Sequence, residues 1–306
     1  MILSSANSIK AGSSNVDRVY HGENFQFLGS DFGYTRDGSI VNGNGTYSAQ
    51  TAGDSLLTDL IINYYSVGPD AFSGCSNLTG VILTDTVGRV EEGAFLNCGI
   101  TDLTIGNGLF DFQDSCFRGN SFTNVSLPVR SMTFELDTFR DCSNLTGFTL
   151  PSPCDSVCAG MFMNCTSLTG VFLPNTLQIV GSAAFNGCTS LTGVNFQNIR
   201  EIHSNAFNGC TSLITIDIPS LDVIESAAFA GCTALTTFNI RANIPPGRHK
   251  LANSSYPGTP IDFLPSQLTE IHVPTNAPYT YYDGESDTTK NGWQDTFFGR
   301  TVIRDL

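Results

Sequence analysis

A repeat solenoid is the fold class that this sequence predicts: eight coils of 22–23 residues sharing a parallel β-sheet, with caps at both ends and an N-terminal β-hairpin. Three observations carry it. The string AFNGCTSL occurs at 184–191 and again at 206–213. Phenylalanine recurs at that phase as Phe72, Phe95, Phe117, Phe139, Phe162, Phe185, Phe207 and Phe229. After each anchor comes an apolar L-x-x-L-x-L frame, such as Leu78, Val81 and Leu83, or Leu213, Ile216 and Ile218.

Each part of the coil follows from its spacing. The last two positions of the frame are two residues apart, which in a strand puts both side chains on one face. The G-C-T-S segment before it suits a turn. Five residues before each anchor stands another apolar side chain, namely Val67, Val90, Phe112, Phe134, Val157, Val180, Ile202 or Ile224, which completes an inward ring. A single coil has no partner for that ring. Copies stacked at about 4.8 Å, the spacing of neighbouring strands, bury it and satisfy the strand hydrogen bonds.

The cysteines fit the same stack. Seven of the ten, Cys75, Cys98, Cys142, Cys165, Cys188, Cys210 and Cys232, stand three residues after an anchor, and the third coil has Asn120 there. A column of buried free thiols is predicted, because a thiol packs as a small apolar group. In-register Cβ atoms near the rung spacing also lie wider than the roughly 3.8 Å of a disulfide. Cys116, Cys154 and Cys158 are off the column, and C-x3-C at 154–158 lacks a second ligand pair for zinc.

The segments outside the repeat divide the chain as 1–50, an attachment hairpin and loop; 51–70, an N-terminal cap; 71–241, the solenoid; and 242–306, a C-terminal cap. Leu56, Leu57, Leu60, Ile61 and Ile62 supply the first cap. In front of it, Val16, Val19 and Tyr20, the turn residues 21–24, then Phe25 and Phe27 read as strand, turn, strand. Residues 33–50, rich in Gly, Asn and Ser, read as a loop.

Composition narrows the function. Fourteen Lys and Arg against 28 Asp and Glu give a net charge of -14, which disfavours nucleic acid and polybasic membrane contact. No stretch reaches membrane-spanning length, and the start lacks the long apolar core of a secretory signal. The expectation is use without classical export, or a signal already removed. His21, His203, His249 and His272 are scattered, and no metalloprotease, serine hydrolase or P-loop motif is present, so neither an enzyme nor a cofactor is expected. The run Asp283, Glu285, Asp287 lacks calcium-loop spacing.

Recognition residues are therefore sought on the surface. Ile82 and Phe172 are the apolar members of the outward strand positions Ile82, Thr104, Ser126, Thr149, Phe172, Asn195, Asp217 and Asn239. Arg248, His249 and Lys250 form the most basic spot, and Tyr279, Tyr281 and Tyr282 cluster before an acidic loop. Loops on a rigid scaffold and clustered Tyr are favoured in binding.

The pattern A-F-x-G-C-x-S-L-T-x-V-x-L-P, as in 71–83 and 161–174, resembles the BspA-like class of leucine-rich repeats over about residues 65–241. Ile271, Val273, Pro274, Tyr281, Trp293, Val302 and Ile303 are similar to the closing cap of such arrays. A second resemblance lies at Ile9, Gly12, Val16, Val19, Tyr20 and Gly22, which is similar to short segments of tailed-bacteriophage tail and baseplate proteins. An ordinary hairpin closing the array is the plain structural reading of that segment. The two resemblances imply a non-enzymatic structural or adhesion component of a virion, as a tail fibre, tail-tip or decoration protein. Val16, Val19, Tyr20, Phe25 and Phe27 would then attach it to the particle. The partners implied are other virion proteins and a host cell-surface protein or glycan, met by many copies at once. The alternative is a cell-surface adhesin binding host proteins or glycans.

Overall fold

The computed structural model describes residues 65–240 throughout, with 60, 62, 268, 270–273 and 301–306; for 18–21, 31–34, 40–42, 59, 61, 296–297 and 300 it describes the backbone alone. The chain is a β-solenoid whose coils fall into two compact units, Met1–Ser152 and Pro153–Leu306, with four phenylalanine anchors in each. No helix occurs among the described residues.

Every coil carries a back strand and all but the third carry a front strand as well, where the frame alone predicts one strand per coil. In the first unit the front strands Asp59–Ile62, Gly80–Leu83 and Asp102–Ile105 pair in parallel and in register. The back strands Ser66–Val67, Arg89–Val90, Asp111–Phe112 and Thr133–Phe134 form a second parallel sheet. The second unit repeats the plan: its back sheet runs through Ser156–Val157, Ile179–Val180, Glu201–Ile202 and Val223–Ile224. Its front strands are Gly170–Phe172 with Gly193–Val194, and Thr215–Ile218 with Thr237–Ile240. The back strands are where the apolar residue five positions before each anchor ends up, which is why that position stays apolar.

Seven of the eight anchors are fully buried and Phe72 is 2% exposed. Within the first unit Phe72, Phe95 and Phe117 stack at 5.3 Å per step, and within the second Phe162, Phe185, Phe207 and Phe229 stack at 5.4, 5.2 and 5.1 Å. These distances sit close to the spacing between strands, so one ring per coil fills the turn side of the core without a gap.

The turn around each anchor has a fixed backbone conformation. The residue two before the anchor has positive φ in all eight coils: Asp70, Gly93, Ser115, Asp137, Gly160, Ala183, Asn205 and Ala227. So does the residue two after it: Gly74, Asn97, Gly119, Asp141, Asn164, Gly187, Gly209 and Gly231. Gly, Asn and Asp fill most of these sites because they enter the left-handed region at least cost. Ala183 and Ala227, at φ 54°, are the strained members. Changing either to Gly removes a penalty that exceeds the chain entropy glycine adds, so each is expected to raise stability by about 0.5–1 kcal/mol. A urea titration that shows a lower midpoint for both variants would overturn this account.

The cysteine column is present, and all ten cysteines are free. Its thiols donate to the carbonyl of the preceding coil's anchor: Cys98 to Phe72 O at 3.0 Å, Cys188 to Phe162 O at 3.0 Å, Cys210 to Phe185 O at 3.2 Å and Cys232 to Phe207 O at 3.1 Å. A hydrogen-bonded thiol thus clips each of these pairs of coils together. Burial pushes the thiols of Cys142, Cys188 and Cys232 up to about 12. Their folded values lie above the ordinary thiol value of about 8.5 in an unfolded chain. The stabilisation from keeping them neutral is therefore complete below about pH 8 and is lost as pH rises toward 12. In the folded protein at pH 8, an alkylating reagent is expected to modify only Cys154 and Cys158, which are partly exposed, with the rest reacting after denaturant is added. Rapid modification of the buried thiols without unfolding would sink the prediction.

Asn120, the departure from the column, has a physical cause. In regular coils two residues separate the cysteine from the frame leucine, and the leucine N–H bonds the cysteine carbonyl, as Leu78 does to Cys75 O at 3.0 Å. The second coil is one residue shorter there, running Cys98, Gly99, Ile100. A Cβ on Gly99 would lie 2.1 Å from Ser76 O, which shows how tightly the shortened turn is drawn in. Ile100 N–H, deprived of the usual acceptor, donates to Asn120 Oδ1 at 3.3 Å. Asn120 Nδ2 meanwhile takes the thiol's place, donating to Phe95 O at 2.8 Å, and it reaches Phe117 O at 2.8 Å as well.

At the ends, the structure adds strands to the array. Arg18–His21 pairs in parallel with Asp59–Ile62, Val19 opposite Leu60 and Tyr20 opposite Ile61. It is thus a rung beside the cap strand as well as the segment that the sequence reading made the first arm of a hairpin. Phe25 and Phe27, the expected second arm, lie outside the described residues. An antiparallel pair does occur in this segment, between Asp31–Tyr34 and Ile40–Asn42, in the stretch read from sequence as a loop. In the C-terminal segment Glu270–Val273 joins Thr237–Ile240, and Arg300–Arg304 joins Glu270–Val273, both in parallel. Thr296–Phe297 folds back antiparallel on Arg300–Arg304. Ile271 and Val273 are fully buried and Val302 is 6% exposed, as a cap requires, while Ile303 is half-buried. Pro274, Tyr281 and Trp293 lie outside the described residues.

Candidate binding surface

The outward side of the front strands is the surface that the coil geometry leaves for recognition. In strands, alternate residues face opposite sides, so Val81 and Leu83 are buried while Ile82 between them is half-buried. Phe172 stands at the corresponding place in the second unit and is 75% exposed. Asn195, at the same repeat position one coil on, is exposed, and Asp217 and Asn239 are half-buried. Of the predicted site residues, the structure thus describes Ile82 and Phe172 fully, and Val19 and Tyr20 by backbone. Val16, Phe25, Phe27, Arg248, His249, Lys250, Tyr279, Tyr281 and Tyr282 lie outside the described residues.

Four other large apolar side chains among the described residues are exposed: Tyr65 at 61%, Val129 at 95% and Leu136 at 52% in the first unit, and Ile214 at 53% in the second. Ile214 had a readable signal. Its repeat position, just after the frame leucine, is Thr in the other seven coils. The threonine hydroxyl there bonds the matching carbonyl one coil back, as Thr101 does to Thr79 O at 3.3 Å and Thr192 to Thr169 O at 3.1 Å. Isoleucine has no hydroxyl to make that bond.

The polar groups on the back sheet pair with one another. Asp111 receives Arg89 Nε at 2.6 Å and Thr133 Oγ1 at 2.8 Å. Glu225 accepts from the N–H and hydroxyl of Ser204 at 2.9 and 3.0 Å, and His203 Nε2 lies 3.2 Å from Glu201. His272 Nδ1 lies 2.8 Å from Asp305 Oδ1. The pairs made by Asp111, Glu225 and Asp305 tie neighbouring coils or strands, and the His203–Glu201 pair lies within one coil. Among the described residues no group of three or more His, Cys, Asp or Glu is placed to hold a metal ion. Asp283, Glu285 and Asp287 lie outside the described residues.

Among the described residues no helix is long and apolar enough to cross a membrane. No curated protein matches the chain. Solved structures to which it is similar include a T. pallidum leucine rich repeat protein, at 20% identity over 78% of this chain and 97% of that one, with a TM-score of 0.42. A leucine-rich repeat protein from Bacteroides ovatus is 17% identical over 74% of this chain and 72% of that one, with a TM-score of 0.36. A leucine rich cell surface protein from Faecalibacterium prausnitzii is 17% identical over 86% and 83%, with a TM-score of 0.38. The BspA type leucine rich repeat region matches in six copies, over residues 54–169 and 155–276. With these repeats covering most of its length and their coil visible in its fold, the chain belongs to the BspA type leucine rich repeat family.

Proposed function

We propose that this chain is a non-enzymatic binding scaffold of the adhesin kind, which presents the outward face of its coils to a partner on another surface. The observation that carries the reading is Phe172: a large aromatic side chain held 75% exposed on a strand whose backbone is fixed by its neighbours. A fully formed core leaves that ring with no internal role, and aromatic side chains are favoured at binding surfaces. Membership of the repeat family supports a scaffold, because the repeat specifies a stack and leaves the outward positions free to vary. Many copies on one surface would turn weak single contacts into durable attachment. Beads coated with the whole chain are expected to be retained on bacterial or animal cells better than bare beads, and to lose much of that retention with Phe172→Ala. Retention on neither kind of cell, or no effect of the substitution, counts against the reading.

The finer setting that we propose is a virion, the chain standing as a tail fibre, tail-tip or decoration protein in contact with other virion proteins. Its support is the resemblance of the segment from Ile9 to Gly22 to phage tail proteins. The rival setting is the surface of a cell. Mass spectrometry of purified particles, beside surface labelling of intact cells, separates the two. Deleting residues 1–27 should abolish incorporation into particles, but the deletion also removes the rung Arg18–His21 from its place beside Asp59–Ile62. A thermal melt of the truncated chain must therefore accompany the assembly assay, and unchanged incorporation would sink the attachment role.

A further inference from the structure

The front ladder of the second unit is interrupted between the coils of Phe185 and Phe207. In an intact rung, two N–H groups at the start of the strand reach back to one carbonyl. Thr236 and Thr237 both donate to Ile214 O, at 3.0 and 3.3 Å, and Thr101 and Asp102 both donate to Thr79 O at 2.9 Å. No such bond joins Ile214 or Thr215 to Thr192, although Thr192 itself donates to Thr169 O at 3.1 Å. Phe185 and Phe207 remain stacked at 5.2 Å, so the two coils part only on their outward side.

Three consequences meet at this break. Val194, at a core-facing position, becomes partly exposed, whereas Val171 before it is 5% exposed and Ile216 after it is fully buried. Ile214 stands 53% exposed on the far lip. The Thr192 carbonyl and the Ile214 N–H are left for solvent or a ligand, because backbone polar groups do not stay unpaired.

Beside the break lies a bare shelf. Gly170 and Gly193 are register partners, and Val171 pairs with Val194, which puts Phe172 and Asn195 at matching places on adjacent rungs. A Cβ on either glycine would meet nothing within 4 Å, and neither has positive φ. Neither backbone conformation nor packing therefore calls for glycine at these sites, and glycine within a strand weakens it. What the two glycines do provide is flat, uncovered backbone next to an exposed aromatic ring.

The chemistry of the shelf selects its occupant. Gly170, Phe172, Gly193, Asn195, Thr215 and Asp217 include one carboxylate and no cation, which disfavours a polyanion. A stable protein interface needs about 800 Å² per partner with several buried anchors, and here a single ring stands among glycines and short polar side chains. A neutral polyhydroxylated ligand fits both facts: its C–H face lies on the ring while its hydroxyls meet the amide, the carboxylate and the unpaired backbone groups. We propose that the interrupted rung is a glycan-binding shelf, with Phe172 stacking on a sugar of a neutral oligosaccharide and Asn195 and Asp217 hydrogen-bonding its hydroxyls. The proposal rests on the binding-scaffold reading and names the ligand class for the same face.

The test titrates the whole chain calorimetrically with three linear tetrasaccharides, β-linked glucose, N-acetylglucosamine and mannose. At least one is expected to bind. Phe172→Ala and Gly193→Leu should each weaken it about tenfold or more, by loss of stacking and by filling of the shelf. Thermal unfolding of both variants should stay unchanged or rise, and Leu136→Ala in the first unit should bind as the parent does. Failure of all three sugars, or binding indifferent to both shelf variants, overturns the proposal. Coated beads that adhere through Phe172, but resist competition by excess free tetrasaccharide, point to a protein partner; the glycan claim then fails and the scaffold reading stands. Beads that adhere to nothing sink both.

Discussion

Phe185→Ala is expected to lower stability by about 3–5 kcal/mol, the range for truncating a fully buried phenylalanine. Phe185 is fully buried and lies in the aromatic column between Phe162 at 5.4 Å and Phe207 at 5.2 Å. Both neighbours lose a stacking partner, and the cavity cannot collapse readily because backbone bonds on either side hold the coils at their spacing: Phe162 N–H to Ala184 O at 2.8 Å and Phe185 N–H to Ala206 O at 2.8 Å. Urea unfolding followed by far-ultraviolet circular dichroism reads the effect as a large fall in midpoint. Because coils interact with their neighbours, Phe72→Ala, at the head of the first unit's column, should cost less than the same change at Phe185, which has a stacking neighbour on each side. Equal losses at the two sites would show that stacking with two neighbours adds nothing beyond burial.

Asn120→Cys is expected to destabilise by about 1–3 kcal/mol even though it restores the residue found in the other seven coils. The thiol can still donate to Phe95 O, as Cys98 does to Phe72 O. It is a poor acceptor, so the buried Ile100 N–H loses Asn120 Oδ1. An unpaired buried donor costs its full desolvation, which is larger than the net gain from any single hydrogen bond. A second variant checks the cause: inserting one residue after Gly99 gives the second coil the turn length of the first, and in that background Asn120→Cys should be nearly neutral. A midpoint that rises on Asn120→Cys in the parent would refute the explanation.

Much of the fold could be read from the chain because each coil meets copies of itself. The anchor Phe, the Cys three residues later and the apolar residue five before it share one environment in every rung, and the sequence repeats because that environment repeats. The left-handed turn positions were half-readable. Gly and Asn at 187, 205 and 209 suggest them, whereas Ala183 and Ala227 disguise them. Phe172 was found as an outward residue from the alternation of its strand. Its 75% exposure, by contrast, depends on what the next rung places beside it, Gly193 and Asn195, which no single coil reveals. At the start of the chain, residues 18–21 pair in parallel with 59–62, a partner that no local pattern names, and the expected second arm at 25–27 lies outside the described residues.

The sequence by itself determined the period, the core columns and therefore the family, since repetition at 22–23 residues has one physical use, the burial of an inward ring against its own copies. Only the tertiary structure decided which rungs close and which open. Closure depends on the lengths of two successive turns and on the groups that two coils present to each other. Asn120 bonding Ile100 across the shortened second coil, and Ile214 unbonded to Thr192 seven coils into the array, are outcomes of that comparison between neighbours. A repeat states what each coil contains, and the contact between coils settles where the surface is left open to bind.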